Sequence, residues 1–380
     1  MTSMSTILQR ACLGPVSEPI AYQLSELDTA QLCEVAQARR DRAWGKTLTY
    51  SPKVFLPITN LCRNHCDYCS FRRSPGDPGE WTMSPAEVRD WLHRARNQGC
   101  IEALFCLGDA PETGFREYRA LLRSWGHERT VDYLRWAAEE ALAAGLLPHT
   151  NAGILSREDM NALKPVNVSL GLMLENVSER LCEKGMPHHR APDKRPAKRL
   201  QMTREAGELQ IPFTSGLLIG IGETVEERVD TILAIRRLHR AHRHIGEVIV
   251  QNFRSHPDTP MGLAGEPSSD ALAATVALAR LILDDEISVQ APPNLNPAST
   301  VILIRAGIND FGGISPVSPD YINPQHPWPY LERLSEACAA EGFRLEPRLP
   351  VYPGHLEAQG FVDPSLRPRI DQLQLELATP

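Results

Sequence analysis

The sequence predicts one large parallel (β/α) barrel of the TIM type. The chain has 380 residues, of which 42% are hydrophobic, and this length suits one large barrel or two ordinary domains. From Lys53 onward, apolar runs of strand character alternate with helical patterns about eight times. Strands that alternate with helices pair in parallel, and a barrel is the most economical closure. The functional site is then expected on the loops after the carboxyl ends of the strands.

The predicted elements follow one another in a regular order. Apolar strand runs cover residues 53–59, 101–108, 147–153, 166–174, 211–220, 245–253, 287–293 and 308–313. Helical patterns cover residues 84–99, 131–145, 193–207, 223–241, 269–284, 299–307 and 327–342. The first helix has the clearest start, because Ser84 is an N-cap candidate, Pro85 fits the first turn and Glu87 completes a capping box.

The two ends of the chain lie outside this alternation. We expect an N-terminal helical extension over residues 1–47, the barrel over residues 48–345 and an irregular C-terminal tail over residues 346–380. The tail shows too little periodicity to predict a separate domain.

Composition excludes several classes of protein. The net charge of −7 argues against a nucleic-acid binder, which normally has a basic face. No apolar run is long enough to cross a bilayer, and the first 20 residues lack the basic start and apolar core of a signal peptide. Nine cysteines, an odd number, do not form a disulfide framework. We therefore expect a cytoplasmic protein with reduced thiols.

Three cysteines follow the first predicted strand in the spacing C-x3-C-x2-C. They are Cys62, Cys66 and Cys69, and no fourth cysteine lies nearby. Iron–sulfur clusters are held by cysteine thiolates, and three thiolates leave one iron of a four-iron cluster free. The spacing alone also allows a zinc site with a distant fourth ligand, or three ordinary thiols.

With its neighbours, this motif resembles that of the radical S-adenosylmethionine superfamily. Tyr68 supplies the aromatic residue that this superfamily has before the last cysteine. The resemblance implies one 4Fe-4S cluster on the three cysteines and S-adenosylmethionine on its free iron. It implies that the cluster generates a 5′-deoxyadenosyl radical, and it leaves the catalytic side chains unidentified.

Three further stretches resemble the cosubstrate motifs of the superfamily. "LGDAPE" places Gly108 and Asp109 at the glycine-rich motif for the methionine amino group, although it departs from the usual Gly-Gly-Glu. Glu175 follows the fourth strand, where a ribose-binding acid is expected, and "GLLIGIGET" places Gly220 and Gly222 near the adenine. Taken separately, the three stretches also fit an ordinary turn, a carboxylate at a helix start and a glycine-rich strand end.

The resemblance narrows to the CofG-type subunits of FO synthase, where FO is 7,8-didemethyl-8-hydroxy-5-deazariboflavin, the chromophore precursor of a deazaflavin coenzyme. Stretches that carry it include "LTYSPKVFLPITNLCRNHCDYCSFRR", "HIGEVIVQNFRSHPDTPM" and "AGINDFGGISPVSPDYINPQHPWP". The resemblance covers about residues 48–353, most of the barrel.

This resemblance implies a substrate, a reaction and partners. A CofH-type radical enzyme couples tyrosine to a ribityl diaminouracil. The CofG-type subunit then converts the adduct, 5-amino-5-(4-hydroxybenzyl)-6-(D-ribitylimino)-5,6-dihydrouracil, to FO by radical ring closure with loss of ammonia. The expected partners are the CofH-type enzyme and a ferredoxin or flavodoxin-type reductant, with neither nucleic acid nor membrane.

Neutral polar residues at three late strand ends are candidates for contacts with the adduct. They are Gln251, Asn252, Gln290, Asn294, Asn309 and Asp310. Each could instead satisfy loop or cap hydrogen bonds. His188 and His189 fit a polar loop better than a metal site.

Other functions remain open at this point. A CofH-type, aminofutalosine-type or biotin-synthase-like radical enzyme has similar motifs, although sulfur insertion of the last type would need a second cysteine group. A zinc-stabilised interaction module is the alternative without catalysis, and iron and sulfide analysis separates it from the others.

Overall fold

Eight parallel strands close into a barrel, so the predicted TIM-type fold is confirmed. The computed structural model describes residues 4–378. The strands are β1 Thr47–Thr59, β2 Glu102–Leu107, β3 Leu147–Asn151, β4 Ser169–Gly171, β5 Phe213–Ile219, β6 Ile245–Asn252, β7 Ser288–Gln290 and β8 Asp310–Ile314. Strand β1 pairs with both β2 and β8, which closes the ring. All seven residues of β5 are buried, as expected for a strand with helices outside and a filled barrel inside.

Three helices precede the barrel, α1 Met4–Leu13, α2 Glu18–Leu24 and α3 Thr29–Trp44. Two buried arginines attach α3 to the outer layer. Arg39 donates to the carbonyl oxygens of Leu281 and Leu283, and Arg40 donates to that of Ile304. These bonds satisfy carbonyl groups at helix ends, which otherwise lack partners.

The outer layer consists of helices between the strands. They are α4 Pro85–Asn97, α5 Pro111–Gly114, α6 Arg116–Ser124, α7 Thr130–Ala143, α8 Arg157–Leu163, α9 Pro196–Glu208, α10 Val225–His242, α11 Ser269–Ile282, α12 Thr300–Arg305 and α13 Leu331–Ala340. Short 3-10 helices lie at Lys164–Val166, Glu179–Cys182, Pro297–Ser299 and Pro364–Leu366. The capping box predicted at Ser84 and Glu87 is present. Within residues 4–378, no helix combines the length and the hydropathy needed to cross a bilayer.

The C-terminal segment is ordered, so the prediction of an irregular tail is wrong. It forms strand β9 Arg344–Pro347, which pairs with the start of β1, and helices α14 Pro353–Glu357 and α15 Arg367–Ala378. Ile370 and Leu373 of α15 pack against Leu147 at the start of β3, where they cover the amino-terminal end of the barrel. Because α15 buries a narrow apolar stripe, its sequence has only weak helical periodicity.

Candidate active site

A cavity opens at the carboxyl ends of the barrel strands. Its volume is about 390 Å³, within the range of small-molecule sites, and residues from all eight barrel strands or the loops after them line it. The cysteine loop, residues 62–69, forms one wall, as the sequence predicted. The floor consists of polar side chains inside the barrel, namely Lys53, His149, Glu247 and Gln290. The buried carboxylate of Glu102 pairs with Lys53 behind this floor.

The three cysteines all border this cavity. Burial raises the pKa of the Cys62 thiol and of the Cys66 thiol to about 12, so the free thiols stay protonated at neutral pH. A bound metal displaces such protons, because its positive charge favours the thiolate.

The donor set of the cysteine loop fits an iron–sulfur cluster. Three thiols from one segment of eight residues border the cavity, and iron–sulfur clusters are held by cysteine thiolates. With three protein ligands, a four-iron cluster keeps one iron free for a further ligand.

Gly108 allows the cysteine loop to approach β2. A Cβ atom at this position would lie 2.4 Å from the Cβ of Cys62 and 2.4 Å from the carbonyl oxygen of Leu61. The glycine is therefore required by close packing between β2 and the loop. Its predicted contact with the cosubstrate stays a prediction.

Asp109 connects the cysteine loop to the loop after β3. Its backbone N–H donates to Cys62 Sγ at 3.1 Å. Its carboxylate accepts hydrogen bonds from Asn64 Nδ2 and from the N–H of Ile154, both at 2.8 Å. A carboxylate has about four acceptor positions, so Asp109 retains capacity for an ammonium group.

Glu175 lies buried beside the cysteine loop in a left-handed backbone conformation, with φ of +64°. Lys194 Nζ donates to its carboxylate at 2.5 Å. Burial works to raise the pKa of the Glu175 carboxyl, but the positive charges of Lys194 and Arg199 outweigh it and lower the pKa. The group is therefore an anion that can accept hydroxyl hydrogen bonds. A strained residue held in a cavity is typical of functional sites.

Tyr68 makes a contact that the sequence did not predict. Its hydroxyl lies 3.0 Å from Nε2 of His188, and the two rings meet edge to face at 5.6 Å. His188 lies in a loop, as expected, but its side chain is buried against Tyr68.

Gly220 and Gly222 lie beyond the end of β5 and have positive φ angles of 88° and 102°. The carboxylate of Glu223 accepts the N–H of Gly220 at 2.8 Å, which closes a tight turn. Neither glycine is among the residues that line the cavity, whereas Leu218 and Phe253 are. The adenine contact predicted for the two glycines therefore has no support from their position.

Four of the polar residues predicted to contact the adduct line the cavity, Gln251, Asn252, Gln290 and Asn294. Asn294 donates to Asp320 at 2.8 Å, and its Oδ1 has no hydrogen-bond partner among residues 4–378. These positions are compatible with substrate contacts, which stay predictions.

The other two, Asn309 and Asp310, are held away from the cavity by structural partners. The Asn309 amide oxygen accepts from the Arg280 guanidinium and from the N–H of Val289 at 2.9 Å. Asp310 accepts from Arg348 at 3.0 Å. Neither residue is among those that line the cavity, so their predicted contact with the adduct has no support from their position. Asn309 precedes β8 and Asp310 begins it, and the arginine partners hold both side chains in place.

Sequence patterns did not identify Lys53, Glu102, His149 or Lys194. Lys53 Nζ pairs with Glu102 at 2.8 Å inside the barrel. One signal in the sequence could have identified Lys53, which is a charged residue at the start of an otherwise apolar strand. A charged residue is rarely buried in a strand unless it has a partner. Lys194 belongs to a basic run that is typical of a solvated helix start, and only the fold directs it inward.

Aromatic side chains hold the loop after β8 over the mouth of the cavity. Trp328 stacks on Phe55 with ring centroids 5.0 Å apart, and Tyr321 stacks on Trp81 at 5.8 Å. Trp328 also donates to the carbonyl oxygen of Ser318 at 3.0 Å. The loop therefore narrows access of water to the cavity.

Comparison with known proteins gives consistent results. Residues 56–235 match the sequence model of the family described as the Radical SAM superfamily. The chain is 47% identical to 7,8-didemethyl-8-hydroxy-5-deazariboflavin synthase of Methanopyrus kandleri, over 81% of this chain and 92% of that protein. It is 45% identical to the protein of that name from Methanothermobacter thermautotrophicus, over 86% of this chain and 98% of the relative. It is also 45% identical to FO synthase of Nocardia farcinica, over 89% of this chain but only 41% of that protein.

Solved structures agree on the fold. Methylornithine synthase (PylB) superposes with a TM-score of 0.70 at 16% identity, over 89% of this chain and 97% of that chain. The FeFe-hydrogenase maturase HydG of Carboxydothermus hydrogenoformans gives 0.71 at 19% identity, over 90% of this chain and 79% of that chain. At these identities, the likeness extends to the fold alone.

Proposed function

The chain belongs to the radical SAM superfamily and, within it, to the FO synthases, and we propose that it carries out the CofG-type half of FO synthesis. The observation that carries the proposal is 47% identity to the M. kandleri synthase over 92% of that enzyme. The chain spans about 41% of the N. farcinica FO synthase, and the proposal concerns the chemistry of this part.

Cys62, Cys66 and Cys69 would hold one 4Fe-4S cluster, and Glu175 and Asp109 would bind S-adenosylmethionine beside it. When bound, the cluster supplies the electron that cleaves S-adenosylmethionine and releases a 5′-deoxyadenosyl radical. The support lies in the positions of these side chains on adjoining walls of one cavity. The anionic Glu175 suits ribose hydroxyls, and Asp109 suits an ammonium group.

The chain would also protect and direct the radical. A primary carbon radical attacks any suitable C–H bond, so the target carbon must lie close and other groups must be excluded. The stacked rings of Trp328 and Phe55 support this role, because they hold a loop across the mouth.

The proposed substrate is the tyrosine–diaminouracil adduct. Removal of a hydrogen atom from its benzylic carbon, ring closure, loss of ammonia and loss of one further electron and proton give FO. The net two-electron oxidant is S-adenosylmethionine, which is converted to methionine and 5′-deoxyadenosine. The reaction is then that of an ammonia-lyase, and one ammonia should be released for each FO formed.

The proposed partners are a CofH-type enzyme that supplies the adduct and a ferredoxin or flavodoxin that supplies electrons. One barrel with one cysteine loop rarely binds both free tyrosine and a bulky adduct well. Two proteins that pass the adduct by diffusion satisfy this constraint.

The test is anaerobic incubation of reconstituted protein with S-adenosylmethionine and reductant, followed by deazaflavin fluorescence. We expect FO from the preformed adduct, and from tyrosine plus the diaminouracil only when a CofH-type protein is added. FO from tyrosine without that protein would contradict the division of labour. Absence of FO from the adduct would contradict the proposed activity.

A further inference from the structure

Two side chains on the cavity floor, Lys53 of β1 and His149 of β3, have no assigned role in the cosubstrate site. Both line the cavity and are almost fully buried, at 6% and 4% exposure. They meet at one carboxylate, because Glu102 Oε1 lies 2.8 Å from Lys53 Nζ and 3.7 Å from His149 Nδ1. A cationic donor and an imidazole therefore lie next to each other inside the barrel.

Two glycines leave space for these side chains. A Cβ atom at Gly313 would come within 2.2 Å of Lys53 Cε, and one at Gly171 would come within 2.9 Å of His149 Nε2. Any larger residue on these strands would displace the lysine or the imidazole. The backbone is thus shaped around the two groups.

Two oxygen atoms face Nδ1 of His149, Ser169 Oγ at 2.8 Å and Glu102 Oε1 at 3.7 Å. A proton on Nδ1 suits both, and the Ser169 hydroxyl then donates to the carbonyl oxygen of Pro350 at 3.3 Å. Burial lowers the pKa of His149 to about 4, and the ring is neutral. Nε2 then has the lone pair. Within residues 4–378, no residue hydrogen-bonds to Nε2. A fully buried nitrogen without a partner would count as unsatisfied, and Nε2 is not one of those atoms. Nε2 is therefore exposed to the cavity that His149 lines.

The Lys53 ammonium group has N–H donors that are not used by Glu102. An ammonium group has three N–H bonds, and within residues 4–378 only Glu102 is paired with this one. Lys53 and His149 thus present a donor and an acceptor to the same floor of the cavity. A cyclic amide has the complementary groups, a carbonyl group next to an N–H.

We propose that Lys53 and His149 form the subsite for the pyrimidinedione ring of the adduct, with Lys53 donating to a ring carbonyl and His149 Nε2 accepting from the neighbouring ring N–H. This inference rests on the proposed function. It places the heterocycle on the floor and leaves the benzyl group for the wall that contains the cysteine loop.

The test measures binding of 6-(D-ribitylamino)uracil, and of its N3-methyl derivative, by anaerobic calorimetry on reconstituted protein. The N–H at ring position 3 lies between two carbonyl groups, so methylation removes a donor of the proposed edge. In the unsubstituted protein, we expect the methyl derivative to bind at least about tenfold more weakly. The loss of one buried hydrogen bond has about this effect.

His149→Leu should weaken binding of the parent compound about tenfold and remove most of the discrimination against the methyl derivative. Lys53→Met should weaken both compounds and retain the discrimination. His244→Leu is the matched control, because His244 is also a buried neutral histidine but bonds to Thr203 outside the cavity. It should bind both compounds like the unsubstituted protein.

Each variant should still contain as much cluster iron as the unsubstituted protein, which shows that the fold and cluster are intact. If His149→Leu passes this test and still discriminates tenfold, the subsite assignment is overturned. Failure of the unsubstituted protein to make FO from the adduct would overturn the proposed function instead, while the binding comparison would still decide the subsite.

Discussion

Along the cysteine loop, the side chains that line the cavity come from one short segment, residues 62–69, whereas on the floor each comes from a different strand. The loop is a local motif, because its three cysteines lie within eight residues of the chain. The floor exists only after the barrel has closed. It is also completed from the base of the barrel, because Arg348 of the C-terminal segment donates to Glu247 at 2.7 Å.

This difference separates two kinds of function. The loop wall is expected to serve the cosubstrate, which all members of the superfamily share. The floor is expected to serve the adduct. Substitutions in the loop should therefore abolish cleavage of S-adenosylmethionine, and substitutions in the floor should leave that cleavage unchanged.

The largest effect is expected from replacing a cysteine of the loop. Cys62→Ala, Cys66→Ala or Cys69→Ala removes one thiolate ligand, and we expect loss of cluster iron and of all 5′-deoxyadenosine formation. Iron and sulfide analysis together with chromatography of the nucleoside products measures both. Cys33→Ala, in helix α3, is the control and should retain both. A colourless, zinc-containing variant that still cleaves S-adenosylmethionine would contradict the cluster assignment.

Gly108→Ala should have the next largest effect. The new Cβ would lie 2.4 Å from Cys62 Cβ, so either β2 or the cysteine loop must move. We expect cluster content to fall several-fold, with a parallel fall in cosubstrate cleavage. Gly14→Ala is the matched control, because no atom lies within 4 Å of the added group. Equal iron content in both variants would show that cluster binding does not depend on the close approach of the cysteine loop to β2.

Glu175→Gln should weaken S-adenosylmethionine binding about tenfold or more, since hydrogen bonds to a charged group contribute about 1.5–3 kcal/mol. Titration of reconstituted protein measures the Kd. The affinity for 6-(D-ribitylamino)uracil should change little, because that compound is assigned to the floor. Unchanged cosubstrate affinity would refute the role of Glu175.

Arg348→Met should have the smallest effect on cosubstrate cleavage. It should nevertheless lower the stability of the protein and its affinity for 6-(D-ribitylamino)uracil. It removes the guanidinium that bonds to both Glu247 and Asp310, and leaves two buried carboxylates without their cation. Loss of one partner of a buried ion pair costs about 3–5 kcal/mol, so the Tm should fall by many degrees. Binding of 6-(D-ribitylamino)uracil should weaken. If cosubstrate cleavage fell as much as that binding, the two regions would not be independent.

The sequence alone determined the order of the eight barrel strands, the barrel and the position of the cysteine loop. Hydrophobic periodicity encodes each element locally, and the loop has its ligands within eight residues. The capping box at Ser84 was predictable for the same reason, since all its hydrogen bonds join near neighbours.

Only the tertiary structure decided which polar residues face the cavity. Asn309 and Asp310 looked equivalent to Gln290 in sequence, yet the Arg280 and Arg348 guanidinium groups hold them in the barrel wall and base. Lys194 belongs to an ordinary basic run until the fold brings it to Glu175. The physical reason is that a buried polar group is positioned by its partner, and here the partners of Asn309, Asp310 and Lys194 are 19 to 38 residues away in the chain.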